Sequence, residues 1–251
     1  MRKAVTKHLF AALAGALVSG TLCAQDADRI VQANEQPKAD SALALISYKA
    51  PLRGAPATRV GGGTRSVAMK PVALSVLAPN ETGYTTRDKP TIYWYVSQPL
   101  SYPVELTLVS TESLEAAATP AFEFKLEPPV TPGVHAISLE SLGVTLKPGV
   151  EYQWFVAVVG NSEQRSNDVI AGGTIKRVAE SDAVRAKLKE APAEQRAALY
   201  AGEGLWYDAV DELSRQISAQ PQNGALRESR ASLLEQVGLA EVAASDRAAL
   251  R

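Results

Sequence analysis

The feature that most constrains the fold is a period-two alternation of apolar residues along residues 72–178, which stops at Val178 and gives way to helix-forming composition. The sets Ile92/Trp94/Val96, Val104/Leu106/Leu108, Phe122/Phe124/Leu126 and Tyr152/Trp154/Val156/Val158 recur at every second residue, as in strands that bury one face. Stretches 72–77, 135–139 and 169–176 read the same way, so seven strands are expected. Turn residues punctuate them at 80–83, Pro99, 128–133, Pro148-Gly149 and Gly160-Asn161. Short strands at this spacing, with no helical pattern between them, predict a mainly β region at 71–178. The expected form is a two-sheet antiparallel sandwich rather than a parallel α/β sheet.

After Val178 the segments 181–190, 192–202, 206–219, 225–237 and 240–250 are rich in Ala, Leu, Glu, Arg and Gln and are separated by Pro or Gly. They predict short antiparallel helices over 179–251. Leu199 and Leu233, Gly204 and Gly238, and Ala209 and Ala243 each lie 34 residues apart. That spacing resembles the tetratricopeptide repeat, in which small residues let paired helices approach closely. Tyr200, Gly204, Ala209, Leu213 and Pro221 fall in its slots, whereas Ala193, Arg196 and Ala197 stand where Trp, Leu and Gly belong, so the tail reads as one and a half divergent repeats. The run from Leu146 through Tyr152 to Trp154 resembles the corner before a late strand in fibronectin type III and immunoglobulin-like domains, where a tyrosine hydroxyl pins the turn.

Arg2, Lys3 and Lys7 precede the apolar run 9–18, and small residues follow, as in a secretory signal peptide cleaved after Ala24. The run is shorter than the roughly 20 apolar residues of a spanning helix. Export to the periplasm or the cell exterior is therefore expected. Cleavage removes three positive charges, Cys23 and His8, leaving 23 basic against 27 acidic residues, His135 and no cysteine. That inventory excludes a thiol nucleophile, a disulfide framework and cysteine or multi-histidine metal sites. With a net charge of −1 for the whole chain and no basic block, nucleic-acid binding is not expected. Residues 25–70, broken by Pro37, Pro51 and Pro56 and ending in a glycine run, read as a disordered linker. The apolar piece 43–48 within it could order against a partner or the body of the protein.

A Ser-His-Asp arrangement could only use His135, which shares parity with Ile137 and Leu139 and has no nucleophile elbow to serve; a partly buried, hydrogen-bonded strand histidine is the plainer reading. Glu105, Glu123, Glu151 and Asp168 could supply the carboxylate pair of a glycoside hydrolase, which needs only two acids about 5 to 10 Å apart. Trp94 and Trp154 belong to the expected core, with Tyr152 beside them. Tyr93, Tyr95 and Phe155 have the opposite parity and form either an exposed stripe for a partner or a surface that packs under the linker or the helices. Trp206 and Tyr207 are the corresponding candidates in the tail.

Several stretches carry a wider resemblance: Leu77-Ala78-Pro79, Gly83-Tyr84-Thr85-Thr86, Lys89 through Tyr95, Pro103 through Leu106, Thr131 through Val134, Arg196 through Ala201 and Gly204-Leu205-Trp206-Tyr207-Asp208-Ala209. Together these resemble family 928 of the bacterial domains of unknown function, from about Val72 to the C-terminus. The resemblance implies an exported bacterial protein with no assigned activity, catalytic residues or cofactor. Two departures are Gly173-Thr174, where a tryptophan is expected, and the absence of a cysteine near 159–161. Two functions are compatible with this reading. One is a non-catalytic module that binds a protein partner, with Tyr93, Tyr95, Phe155, Trp206 and Tyr207 as candidate contacts and no cofactor. The other is a carbohydrate-active or cell-wall-related protein.

Overall fold

The computed structural model describes residues 46–51 and 72–249, all within one compact unit spanning 42–251. The expected signal peptide at 1–24 and most of the expected linker lie outside the described residues. Eight strands and six helices are present among them. The strands are β1 (Leu74–Val76), β2 (Gly83–Thr85), β3 (Thr91–Val96), β4 (Val104–Ser110), β5 (Phe122–Leu126), β6 (Gly133–Ser138), β7 (Glu151–Val158) and β8 (Val169–Arg177). The helices are α1 (Leu114–Ala118), α2 (Asp182–Glu190), α3 (Ala193–Gly202), α4 (Trp206–Ala219), α5 (Gly224–Gln236) and α6 (Ala240–Ala248).

The strands form two sheets, one in the order β1-β3-β6 and the other β2-β8-β7-β4-β5. Strand β4 alternates strictly between buried and half-buried residues, and Tyr152, Trp154, Val156 and Val158 of β7 are all buried, as the period of two requires. Every pairing is antiparallel except β2 on β8, which is parallel. The all-antiparallel expectation is corrected at this point. Strand β2 falls at the end of a segment read as a turn, and three residues are too few to display a period.

A second correction concerns β5. Phe122, Phe124 and Leu126 stand opposite Leu108, Leu106 and Val104, so they share the face that β4 buries. Yet Phe124 and Leu126 are 38% and 36% exposed. Strand β5 is the edge strand of its sheet, paired on one side only among the described residues, and these side chains are left more open than those of β4.

Helices α1, α2 and α5 begin at side-chain caps. Ser181 Oγ accepts from Val184 N at the start of α2, and Asn223 Oδ1 accepts from Ala225 N and Leu226 N at the start of α5. Helices α3/α4 and α5/α6 form two hairpins whose turns share matching backbone bonds at the 34-residue offset. Leu205 N donates to Tyr200 O and Leu239 N to Leu234 O; Gly204 N donates to Ala201 O and Gly238 N to Glu235 O. Gly204 and Gly238 hold φ of +77° and +79°, a left-handed conformation that costs a residue with a Cβ roughly 1–2 kcal/mol. Ala197 with Ala209, and Ala231 with Ala243, are fully buried, as small residues at helix crossings should be.

One apolar cluster runs from the sheets into the helices. Trp206 Nε1 donates to Leu77 O at 2.9 Å, Trp154 Nε1 donates to the Tyr207 hydroxyl at 2.9 Å, and that hydroxyl donates to Thr174 O at 3.0 Å. The Tyr207 ring fits because position 83 is glycine: a Cβ there would meet it at 2.5 Å. Trp206 and Tyr207 thus sit at the junction of sheets and helices.

Candidate functional site

Four of the five aromatic residues named as candidate contacts are buried, so of the two readings open from the sequence these four follow internal packing. Tyr93 and Tyr95 are 7% and 6% exposed, Trp206 0% and Tyr207 2%. Helix α4 packs against β3, and the Tyr93 hydroxyl donates to Asp211 Oδ1 at 2.8 Å. Phe155 is half-buried and lies over Gly172, its cross-strand partner.

Beneath this packing, α4 turns a row of acids toward the β2–β3 connection. Asp208, fully buried, accepts from Thr85 Oγ1 at 2.8 Å, Thr86 N at 2.8 Å and Thr86 Oγ1 at 3.0 Å, with Arg87 Nε at 3.5 Å. Arg87 also donates to Asp211, and Arg215 donates to Asp211 and Glu212. Burial pushes the Asp208 carboxyl above the usual carboxylate range, against the pull of these donors and of the Arg87 charge. A network so fully satisfied fixes the helices on the sheets.

A separate surface, beside Trp206, holds a piece of the chain itself. Residues 46–51, expected to be linker, run in extended form over the helices. Gln236, the last residue of α5, accepts from Tyr48 N through Oε1 at 2.9 Å and donates through Nε2 to Ile46 O at 2.7 Å. Lys49 N donates to Ala201 O at 3.1 Å, beside the turn between α3 and α4. Ile46 is buried and Tyr48 half-buried, while Ser47 and Lys49 are exposed, the alternation of a strand laid on a surface. The Tyr48 ring meets Trp206 edge-on, centroids 4.8 Å apart. Its buried hydroxyl has no hydrogen-bond partner among the described residues. Burial, followed by the nearby Tyr84 and Glu81, pushes that phenol up. A cleft of about 400 Å³ opens beside this strap, lined by Tyr48, Pro51, Pro79, Glu81, Gln236 and Val237 among others. Lys49 O approaches the α3–α4 turn so closely that a Cβ on Gly204 would lie 2.8 Å from it.

Of the four carboxylates considered for hydrolysis, the fold brings Glu105 and Asp168 together, with a guanidinium between them. Arg165 Nη2 donates to Glu105 and Nε to Asp168, each at 2.6 Å. Glu151 accepts from Thr82 Oγ1 at 2.7 Å, and Glu123 is exposed on the edge strand. His135 stacks on Trp94 at 4.6 Å, and its Nε2 lies 2.7 Å from Thr131 O.

Sequence reasoning named Trp206 and the piece containing Ile46 and Tyr48, but missed Gln236, whose side chain clamps backbone 188 and 190 positions away. No local pattern carries that signal. Among the described residues no helix is long and apolar enough to cross a membrane, and no group of three or more His, Cys, Asp or Glu side chains could hold a metal ion.

The model of the family described as Domain of Unknown Function (DUF928) matches residues 60–247. No curated protein matches the chain. Among solved structures the chain is similar to a multi-domain immunophilin from Arabidopsis thaliana at 8% identity, over 80% of this chain and 99% of that one, with a TM-score of 0.17. A likeness of that size carries nothing about fold or function.

Proposed function

We propose that this chain, which belongs to the DUF928 family, is an exported, non-catalytic interaction module that binds a protein partner in the bacterial envelope or outside the cell. The observation that carries the reading is the strap: the helical hairpins already hold an extended piece of polypeptide by its backbone, through Gln236 and Ala201 O. A surface that binds backbone in this way is suited to protein segments and supplies no reacting group. Periplasmic or extracellular location is supported by Arg2, Lys3 and Lys7 ahead of the apolar run 9–18.

Two finer features of architecture belong to the same proposal. The sheets form an immunoglobulin- or fibronectin-III-like sandwich; in support, Lys147 N donates to the Tyr152 hydroxyl at 3.2 Å across the turn before β7, a pin of the kind such corners use. The tail is a divergent tetratricopeptide-like pair; in support, the two hairpin turns correspond at the 34-residue offset.

The test is affinity capture by the full chain from its native envelope, followed by reconstitution from purified components. A single protein that re-forms a stoichiometric complex is the expected result. Pairwise replacement of Glu105, Glu123, Glu151 and Asp168 should leave that complex intact. Hydrolysis of envelope glycans by the purified chain, stopped by one of those paired changes, would sink the reading.

A further inference from the structure

We infer that the surface under the strap is a peptide-binding groove, and that Ile46–Pro51 is a built-in placeholder for a partner's extended segment of the same chemistry. That segment carries an aliphatic residue, any residue, then an aromatic one. The inference rests on the interaction-module reading and names the site and the ligand class.

Three observations define what the groove accepts. Among the described residues its hydrogen bonds to the strap go to main chain: Tyr48 N, Ile46 O and Lys49 N are bound, by Gln236 and Ala201 O. Any non-proline sequence offers the same groups, so the polar contacts fix an extended conformation without fixing identity. Selectivity comes from the two inward side chains, Ile46 buried in the apolar cluster and Tyr48 edge-on to Trp206. The outward residues Ser47 and Lys49 are exposed and free to vary. Finally, the groove is shaped for a close backbone, because Gly204 leaves room for Lys49 O that a Cβ would fill.

The strap itself fits imperfectly, as a displaceable placeholder would. The buried Tyr48 hydroxyl finds no partner among the described residues, so a phenylalanine at that place loses nothing and avoids burying an unsatisfied group. The adjoining cleft of about 400 Å³ leaves room for side chains larger than Ala50 and Pro51. Occupied in cis, the groove competes against any partner with an effective concentration on the order of millimolar for a short tether. Release of the strap should therefore raise the affinity for a peptide in trans.

The experiment uses a fluorescein-labelled peptide of residues 43–51 and the full chain, read by anisotropy. Against a full chain carrying Ile46→Ala and Tyr48→Ala, the peptide should bind at least about tenfold more tightly than against the unmodified chain. Gln236→Ala in that released background should weaken binding about tenfold or more, the loss of two backbone hydrogen bonds in one side chain. A peptide with phenylalanine for Tyr48 should bind at least as tightly, and one with alanine there should not bind. Absence of saturable binding to a released chain that unfolds as cooperatively as the unmodified one would overturn the inference, as would indifference to Gln236→Ala. Should the released chain fail to fold, hydrogen exchange on the unmodified chain decides. Millimolar phenylalanine peptide must deprotect the Tyr48 and Lys49 amides, and unchanged protection overturns the proposal. Capture of a reconstitutable partner that leaves those amides protected would discard this groove while keeping the interaction-module reading.

Discussion

Asp208 shows how a single side chain can carry the attachment of the helices. It is fully buried, and its carboxylate is the acceptor for Thr85 Oγ1, Thr86 N and Thr86 Oγ1. Asp208→Ala should lower unfolding stability by about 2–4 kcal/mol, because it strands buried donors at about 1–3 kcal/mol each, measured by denaturant titration. The pH dependence has a definite sign. Burial raises the folded-state pKa of Asp208 above its ordinary value of 3.8, so in that window the folded chain binds more protons than the unfolded one. Its contribution is present in full below the unfolded pKa and is lost as pH rises through the folded one. The stability difference between the unmodified chain and Asp208→Asn should therefore widen in favour of the unmodified chain as pH falls from neutral toward that value. A difference that is flat with pH would mean that the carboxyl is not held above its ordinary range. Arg230 is the second such residue: it is buried, pairs bidentately with Asp246 at 2.7 and 2.5 Å, and reaches Ser214 Oγ at 2.9 Å, tying α4, α5 and α6 together. Arg230→Ala should cost about 3–5 kcal/mol by taking the bidentate partner from a buried carboxylate, which keeps only Arg227 at 3.9 Å among the described residues. Arg247, on the surface between Glu228 and Glu235, should be replaceable with little effect.

Among the elements, the two hairpin turns offer a matched comparison. Gly238→Ala should cost the roughly 1–2 kcal/mol of a left-handed residue. Gly204→Ala should cost more, since its Cβ would also stand 2.8 Å from Lys49 O. Equal costs in denaturant unfolding would mean that the strap lifts freely. Why α4 could be read to the residue while β2 could not is a matter of length and punctuation. Helix α4 spans fourteen residues between Gly204 and Pro221, so period and breakers agree on its ends. Strand β2 and helix α1, three and five residues long, hold less than the pattern needed to see them. Parity told which side chains of β5 share the face that β4 buries, but not that the edge strand leaves Phe124 and Leu126 exposed. At β3 the residues Ile92, Tyr93, Trp94, Tyr95 and Val96 form an unbroken apolar run, the mark of a strand covered on both faces. That run favours the internal-packing reading of Tyr93 and Tyr95 over an exposed stripe, and Tyr93 meets α4 through Asp211. The site was legible only in part: Trp206 and the 43–48 piece stood out by composition, whereas their meeting depends on Gln236 in a distant helix.

At the scale of the whole molecule, the sheets and the helical tail read from sequence as separate segments share one apolar cluster. Trp94 and Trp154 report on the sheets and Trp206 on the helices, and all three are almost fully buried. Between them runs a chain of buried hydrogen bonds, from Trp154 Nε1 to the Tyr207 hydroxyl and on to Thr174 O. Neither part can unfold without exposing the apolar surface and the polar groups that the other covers, so unfolding should be a single cooperative event. Tryptophan fluorescence and helical circular dichroism should give coincident transitions in denaturant. Tyr207→Phe removes the oxygen that accepts from Trp154 and donates to Thr174 O, taking the acceptor from a buried indole N–H and one donor from the carbonyl. The expected cost is about 1–3 kcal/mol for each group stranded, and the two probes should shift by the same amount. If the helical signal alone moved, with the sheet tryptophans unfolding at their former midpoint, the tail would be an independent unit, and the cluster that joins it to the sheets would not couple their folding.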